Sequence, residues 1–337
     1  MTIDIYQNEI ALKSVLVECM DLTDDILFKI VKAEQDPNVA FGLTQQKLRQ
    51  HLATKWDDLA KKAVADVNRF VKARPWPLSK ADQKKLVNML NKKMAGFGPA
   101  TKAKVQDAIT KMYATQKKFM AAKYAISPSF KLVDTQTIKQ LQKFNHFWIG
   151  NHYSNNLSRR IKDVAEKITL RSGLSREEAG KALVRNLNLE LKKGTLGEAR
   201  YVSDLVPKGW RASNTAYFNG VATNAARMSQ TFSMVNSMES VGVTEYRVVA
   251  IIDQVTSHHC IEMNGRTFKV EHAIKTRDGV LSGSPEEIKS LMNWDYNEMS
   301  EIVDSTKSLE KQNEMLAEAG FALPPYHLSC RTTIEDA

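Results

Sequence analysis

Along most of this chain apolar residues recur at three- and four-residue steps, the period of helices that bury one face. Leu12, Val15, Leu16, Cys19 and Met20, followed by Ile26 and Ile30, mark a first helical segment. Asp36-Pro37-Asn38 reads as a break. Thr44 is suited to cap a helix that starts at Gln45 and carries Leu52, Trp56, Leu59, Val64, Val67 and Val71. Pro75-Trp76-Pro77 ends it, because proline excludes the helical conformation from the residue before it. Ser79 predicts the cap of a short helix that reaches Ala95. Gly96-Phe97-Gly98-Pro99 is expected to be a loop, with a lysine-rich helix over residues 101–125.

Ser127-Pro128-Ser129 is a candidate boundary. Asp134 is expected to be the N-cap of a long helix whose apolar positions include Ile138, Leu141, Phe144, Trp148, Leu157, Ile161, Val164 and Ile168. Ser172-Gly173 stops it, with glycine suited to a left-handed end. Ser175 and Glu178 have capping-box spacing for the next helix, to residue 191. Residues 197–209 read as a connector. Residues 210–240 predict a helix with small residues at Ala212, Ala216, Ala222, Ala225 and Ala226, which permit close approach of neighbours. The period then changes. Residues 245–252 are rich in β-branched side chains and predict a strand. Asn264-Gly265 is a turn signal, and residues 266–270 are expected to return as a second strand, so Cys260 is expected in or just before a hairpin turn. Ser284-Pro285 followed by two glutamates starts a further helix, and an acidic helix is expected over 296–319. The fold class predicted is mainly α. Long helical N-terminal (1–127) and middle (128–209) regions precede a small α+β C-terminal domain (210–337).

Composition adds bounds. At 337 residues and 43% hydrophobic content a sizeable core is attainable. No apolar run approaches the length of a membrane span, so no membrane partner is expected. The N-terminus lacks a basic-then-apolar leader, which leads to the expectation of a protein made and used in the cytoplasm. Three cysteines do not make a disulfide framework, and Cys19 reads as an ordinary buried thiol. The net charge of +10 is unevenly spread: residues 51–200 hold 31 Lys and Arg against 12 Asp and Glu, and the remainder holds 17 against 26. Solvated helix faces and contact with a polyanion are the two readings of that basic middle. For the second, Lys102, Lys104, Lys117 and Lys118 are the candidate nucleic-acid contacts, although with Lys111 and Lys123 they spread around the helix. No base-reading motif is present, so any DNA binding is expected to be sequence-independent and salt-sensitive. Phe144, Phe147 and Trp148 are expected in a core, not as a stacking platform for bases.

The most distinctive stretch lies between Asp253 and Arg331. Asp253, Thr256, Cys260 and Gly265 stand in its first part, and Pro324, Pro325, His327, Cys330 and Arg331 in its last. Their spacing resembles the C-terminal motif of the phage head morphogenesis proteins, the minor head proteins of the Mu F type. That pattern runs Asp-x-Arg-Thr-Cys-x-x-Cys-x-x-Leu-Asp-Gly, then an insert, then Pro-Pro-x-His-Pro-x-Cys-Arg-Cys. Met263 and Asn264 stand for its Leu and Asp, while Val255 replaces its Arg, Ser257 its first Cys, Leu328 its Pro and Thr332 its last Cys. The long helix, the Gly-Leu-Ser break at 173–175 and the following helix resemble the middle of the same family. The resemblance implies a structural protein of the virion, not an enzyme, present in few copies at the portal vertex. It would act in procapsid assembly in the host cytoplasm and in DNA packaging or ejection. Its partners would be portal and capsid or scaffold proteins, with DNA engaged in some members. It also implies that the helix before the strand packs on the motif domain.

Zinc favours four sulfur and imidazole ligands, which Cys-x-x-Cys with His-x-x-Cys would supply. Here Cys260, His327 and Cys330 remain, with His259 as the fourth candidate and His258 or His272 as substitutes for it. The alternative favoured by the joint absence of cysteine at 257 and 332 has no cofactor. Cys260 and Cys330 are then adjacent buried thiols with His327 hydrogen-bonded beside them. A disulfide is a third arrangement, disfavoured in a reducing cytosol. Two other functions compete with the structural role: a sequence-independent DNA-binding protein, and a metal-dependent nuclease using His258, His259, His327 and Asn264. About sixty intervening residues count against the compact unit such nucleases need.

Overall fold

The computed structural model describes residues 37–149, 162–164, 166–168, 175–193, 214–285, 287 and 291–337. The helical segment expected over 12–30, with Cys19, and the connector 197–209 lie outside the described residues. The elements in chain order are α1 (Pro37–Lys72), α2 (Lys80–Ala95), α3 (Phe97–Tyr124), α4 (Leu132–Phe147), α5 (Arg176–Lys193) and α6 (Asn214–Val241). They continue with β1 (Glu245–Val249), α7 (His258–Met263), β2 (Thr267–Lys269), α8 (Val270–Ser282), α9 (Tyr296–Val303), α10 (Leu309–Glu318) and β3 (Thr333–Asp336). The protein is mainly α, with a small antiparallel sheet of order β2-β1-β3 near the C-terminus. The chain divides into two units, of which the larger spans Thr44–Ala337; only residues 37–43 of the other are described. α3 and α4, on either side of the boundary expected at 127/128, both pack on α6, and the boundary expected at 209/210 lies outside the described residues.

Several element ends differ from expectation for local reasons. α1 runs from Pro37, inside the expected break and ahead of the expected cap at Thr44. Proline at the first helical position gives up only an N–H that has no intrahelical partner there. α3 begins at Phe97, so the expected loop shrinks to Gly96, and Pro99 is tolerated in the first turn. Lys131, not Asp134, holds the N-cap position of α4. Asp134 sits three residues in and accepts from the Lys131 N–H at 2.9 Å. Much of the later part of the expected long helix lies outside the described residues. The acidic helix expected over 296–319 is two helices, because Ser308 accepts from the Lys311 N–H and starts α10 afresh. The caps at Ser79 and at Ser175 with Glu178 form as their spacing predicts.

α6 is the centre of the larger unit. From Tyr217 to Met238 nearly every residue is buried, whichever face it occupies. α3, α4, α8 and β3 all pack against it. A helix enclosed on all sides has to pair most of its polar groups within itself. Three of its hydroxyls do this locally: Thr223 donates to the Asn219 carbonyl (2.8 Å), Ser229 to Ala225 (2.7 Å) and Ser237 to Ser233 (2.8 Å), whereas Thr231 Oγ1 is buried without a partner. Small side chains let neighbours approach, and aromatic rings fill the wider gap at one end. There Trp56 meets Phe97 edge-on at 5.2 Å between ring centres, and Phe97 lies 5.3 Å from Phe218. Phe144 and Trp148 are buried in the core, as expected, while Phe147 is only half-buried, its ring edge-on to Trp148.

A buried polar network joins the four principal helices. The Asp134 carboxylate is fully buried and lies 3.3 Å from the ammonium of Lys117, itself only 1% exposed. Tyr113 donates to Asp134 at 2.6 Å, and the Asn236 amide is directed at the same carboxylate oxygen (3.2 Å) and at the Tyr113 hydroxyl (2.6 Å). Arg277 donates to the Asn236 carbonyl oxygen at 3.1 Å and pairs with Glu239. Residues of α3, α4, α6 and α8 are thereby locked in one register. Lys117 is therefore not a nucleic-acid contact, contrary to the expectation from sequence: a side chain held in this network cannot reach a nucleic acid.

Removing one member of a buried pair leaves the other charge uncompensated, at a cost of about 3–5 kcal/mol. Lys117→Met should therefore lower the unfolding free energy in urea by about that amount, while Lys118→Met, on the exposed face, should change it by no more than about 0.5 kcal/mol. Burial raises the Asp134 pKa, but hydrogen bonds from Tyr113, the Lys131 N–H and Asn236, with the charge of Lys117, hold it below the ordinary value. The unfolded chain then takes up this proton first. The stabilisation is complete above the usual carboxylate pKa of about 3.9 and disappears as pH falls through the lower folded value. Unfolding followed from neutral to acid pH should show this loss, and Asp134→Asn should flatten that part of the curve.

Candidate metal centre

β1 leads into the first part of the motif. Tyr246 and Val248 point into the core, and Tyr246 donates to the Ala322 carbonyl at 2.8 Å. The strand ends at Val249, three residues earlier than expected, and Cys260 lies on the short helix α7, not in a hairpin turn. Ser257 starts that helix, its hydroxyl accepting from the Cys260 N–H at 3.4 Å. Gly265 takes φ of +80°, which lets its N–H reach the Val248 carbonyl at 2.8 Å and begins the return to β2. The expected pairing of the two strands is present, with Tyr246 opposite Phe268. β3, which pairs with the other side of β1, has no counterpart in the expected elements.

The two parts of the motif meet. Asp253 accepts from Arg331 at 2.6 Å and from the Val255 N–H at 3.1 Å, while Thr256 accepts from the Asp253 N–H at 2.7 Å. Arg331 holds the Asp253 carboxyl well below the usual carboxylate range. The Pro325 carbonyl accepts from the indole of Trp294 at 2.6 Å. Deeper in, Cys260 Sγ lies 3.6 Å from Cys330 Sγ and 3.2 Å from His327 Nε2. Ser257 Oγ lies 2.8 Å from the same nitrogen. Both cysteines are buried and unbridged. His327 Nδ1 lies 2.8 Å from the Leu328 carbonyl, so that nitrogen carries a proton, and in the neutral ring Nε2 presents a lone pair to the cluster. Burial lowers the ring's pKa, but hydrogen bonds to Cys260 and the Leu328 carbonyl outweigh burial and raise it.

Electrostatics distinguish the two thiols. The hydrogen bond to Cys330 and then burial push the Cys260 thiol up. Burial opposes ionisation of Cys330, but hydrogen bonds from Cys260, Tyr326 and Thr332 outweigh it, so the thiol titrates below its ordinary range. Cys330 is the sulfur that ionises first.

Among the described residues Cys260, His327 and Cys330 are the group whose ligand atoms converge, all within 4.8 Å of one another. His259 is not brought to them. Its Nε2 is 3.1 Å from the Trp294 carbonyl, and burial pushes its pKa down to about 4. Asn264, required by the nuclease alternative, is likewise engaged, accepting from the Ala250 N–H at 2.9 Å. Ser257 is the residue of the cluster not expected there. The cue available was its place at the first Cys position of the motif. Of the four lysines, Lys102, Lys104 and Lys118 are exposed on α3. At 100° per residue Lys104 and Lys118 share a face, and Lys102 lies roughly 160° from Lys118.

α6 backs this cluster. A Cβ on Gly220 would come within 2.5 Å of Leu328 Cγ, so the glycine creates the space for the segment carrying His327 and Cys330. Gly220→Ala should destabilise the protein by about 1–3 kcal/mol. It should also raise the reactivity of Cys330 toward a thiol reagent in the native state, because the displaced segment is the one that buries it.

No family model matches this chain, and no curated protein and no solved structure matches it.

Proposed function

We propose that this protein is a minor head protein of a tailed phage or prophage. It would be a structural component of the portal vertex that acts in procapsid assembly and in packaging or ejection of DNA. One observation supports this best: the two parts of the motif, 78 residues apart at Asp253 and Arg331, close on each other residue by residue. The positions that resemble the family pattern thus belong to one folded unit, as a shared pattern requires. The C-terminal module is the part that docks on portal, capsid or scaffold protein. Its role is architectural, and the chain works in the host cytoplasm during assembly and in the virion afterwards. The excess of basic residues over 51–200 supplies a contact for DNA backbone through exposed side chains, among them Lys102, Lys104 and Lys118.

Coexpression with the portal and capsid proteins of the genome that encodes it should place the chain in purified procapsids in few copies. Its absence from such particles would overturn the proposal. Changing Lys102, Lys104 and Lys118 together to Glu should weaken retention of duplex DNA and reduce its salt slope by about 3, without lowering thermal stability. Unchanged retention at low salt rejects DNA contact through α3. Binding of DNA by a chain that never joins particles favours the alternative of a sequence-independent DNA-binding protein.

A further inference from the structure

We propose that Cys260, His327 and Cys330 bind one zinc ion, with the Ser257 hydroxyl at the fourth corner of the site. This stands on the geometry of the cluster and is independent of the role at the portal vertex. A tetrahedral zinc with Zn–S of about 2.3 Å and Zn–N of about 2.0–2.1 Å spaces two sulfurs by about 3.8 Å and a sulfur and a nitrogen by about 3.5 Å. The separations here are 3.6 Å between the sulfurs and 3.2 Å from Cys260 Sγ to His327 Nε2. The third separation, from Cys330 Sγ to His327 Nε2, is within 4.8 Å, so modest shifts of the three side chains would place all of them around an ion.

The orientation of the imidazole makes the same case. His327 Nδ1–H donates to the Leu328 carbonyl, which fixes the tautomer that leaves Nε2 unprotonated, as in ligating histidines. That lone pair faces Cys260 and Ser257. Charge fits as well. Both thiols lose their protons on binding, and two thiolates cancel the dication, so the buried centre carries no net charge. Serine is a weaker ligand than the thiolate that the fourth corner would otherwise hold, and it sets the affinity of the site below that of an all-sulfur and imidazole set. The ion would join residues 70 positions apart and tie α7 to the segment that leads into β3.

The test uses the full chain purified with reductant and without chelator. About one zinc per chain is expected by elemental analysis. Cobalt added to the stripped protein should give a thiolate-to-metal absorption band and the intense visible bands of a tetrahedral ion. Cys330→Ser should lose the metal, and Ser257→Cys should hold it against at least about tenfold more chelator, since a third thiolate replaces a hydroxyl. The second variant adds a ligand and keeps the rest of the site, so the test does not depend on whether Cys330→Ser folds. Folded wild-type and Ser257→Cys chains that take up neither zinc nor cobalt overturn the proposal. So does a Cys260–Cys330 disulfide in the reduced preparation, and so does zinc retained by both Cys330→Ser and His327→Ala, which would place the metal elsewhere.

Discussion

The fold depends on one buried carboxylate. Asp134 has no exposed surface, so its charge persists only because Lys117, Tyr113, Asn236 and the Lys131 N–H all meet it. Those partners come from two helices, α3 and α6, and from the turn that starts α4. Through Asn236 the network passes to Arg277 on α8, so any slip of one helix along another would strand a charge in the core. Apolar packing around α6 tolerates small adjustments in many directions. The polar network tolerates few, and so sets the register in which the apolar faces close.

That register carries through to the cluster. α6 extends from Asn236 in the network back to Gly220, against which Leu328 and Ser329 rest. The same helix contacts β3, whose first residues follow Cys330. A single rigid element thus spans both the network of the core and the wall of the cysteine cluster. The placement of His327 and Cys330 therefore depends on a helix far from them in sequence, with the loop from α10 to β3 laid over it.

Periodicity made the helices legible, and the β-branched run at 245–249 made the central strand legible, because each follows from a local pattern of burial. The motif residues were legible too, down to the adjacency of Cys260, His327 and Cys330. What could not be seen was partnership over long separations. Lys117 looks like any lysine of a basic helix until Asp134 is brought beside it, since nothing adjacent to either residue announces the pair. β3 is short, only Thr333–Asp336, and exists because β1 offers it an edge. α9 and α10 looked continuous because their acidic composition hides the cap at Ser308. Ser257 looked like a lost ligand, whereas its hydroxyl both starts α7 and meets His327, two roles that only the closed motif combines.

The motif contains two kinds of residue, and they contribute differently. Asp253 and Arg331 are both substantially exposed, at 40% and 36%, and a pair in that setting is worth about 0–1 kcal/mol. Their ion pair cannot be what holds the two parts together. Cys260, Leu328 and Cys330 are buried, as are Phe321 to Tyr326 leading up to them, and the stabilisation comes from covering those side chains. Burial, however, is indifferent to a shift of one residue between similar side chains. The exposed pair is not: Arg331 reaches the Asp253 carboxylate only when Cys330 already faces Cys260. The apolar residues thus supply the energy of closure and the charged pair its alignment. This division explains why the outer residues of the motif are charged and the inner ones are not.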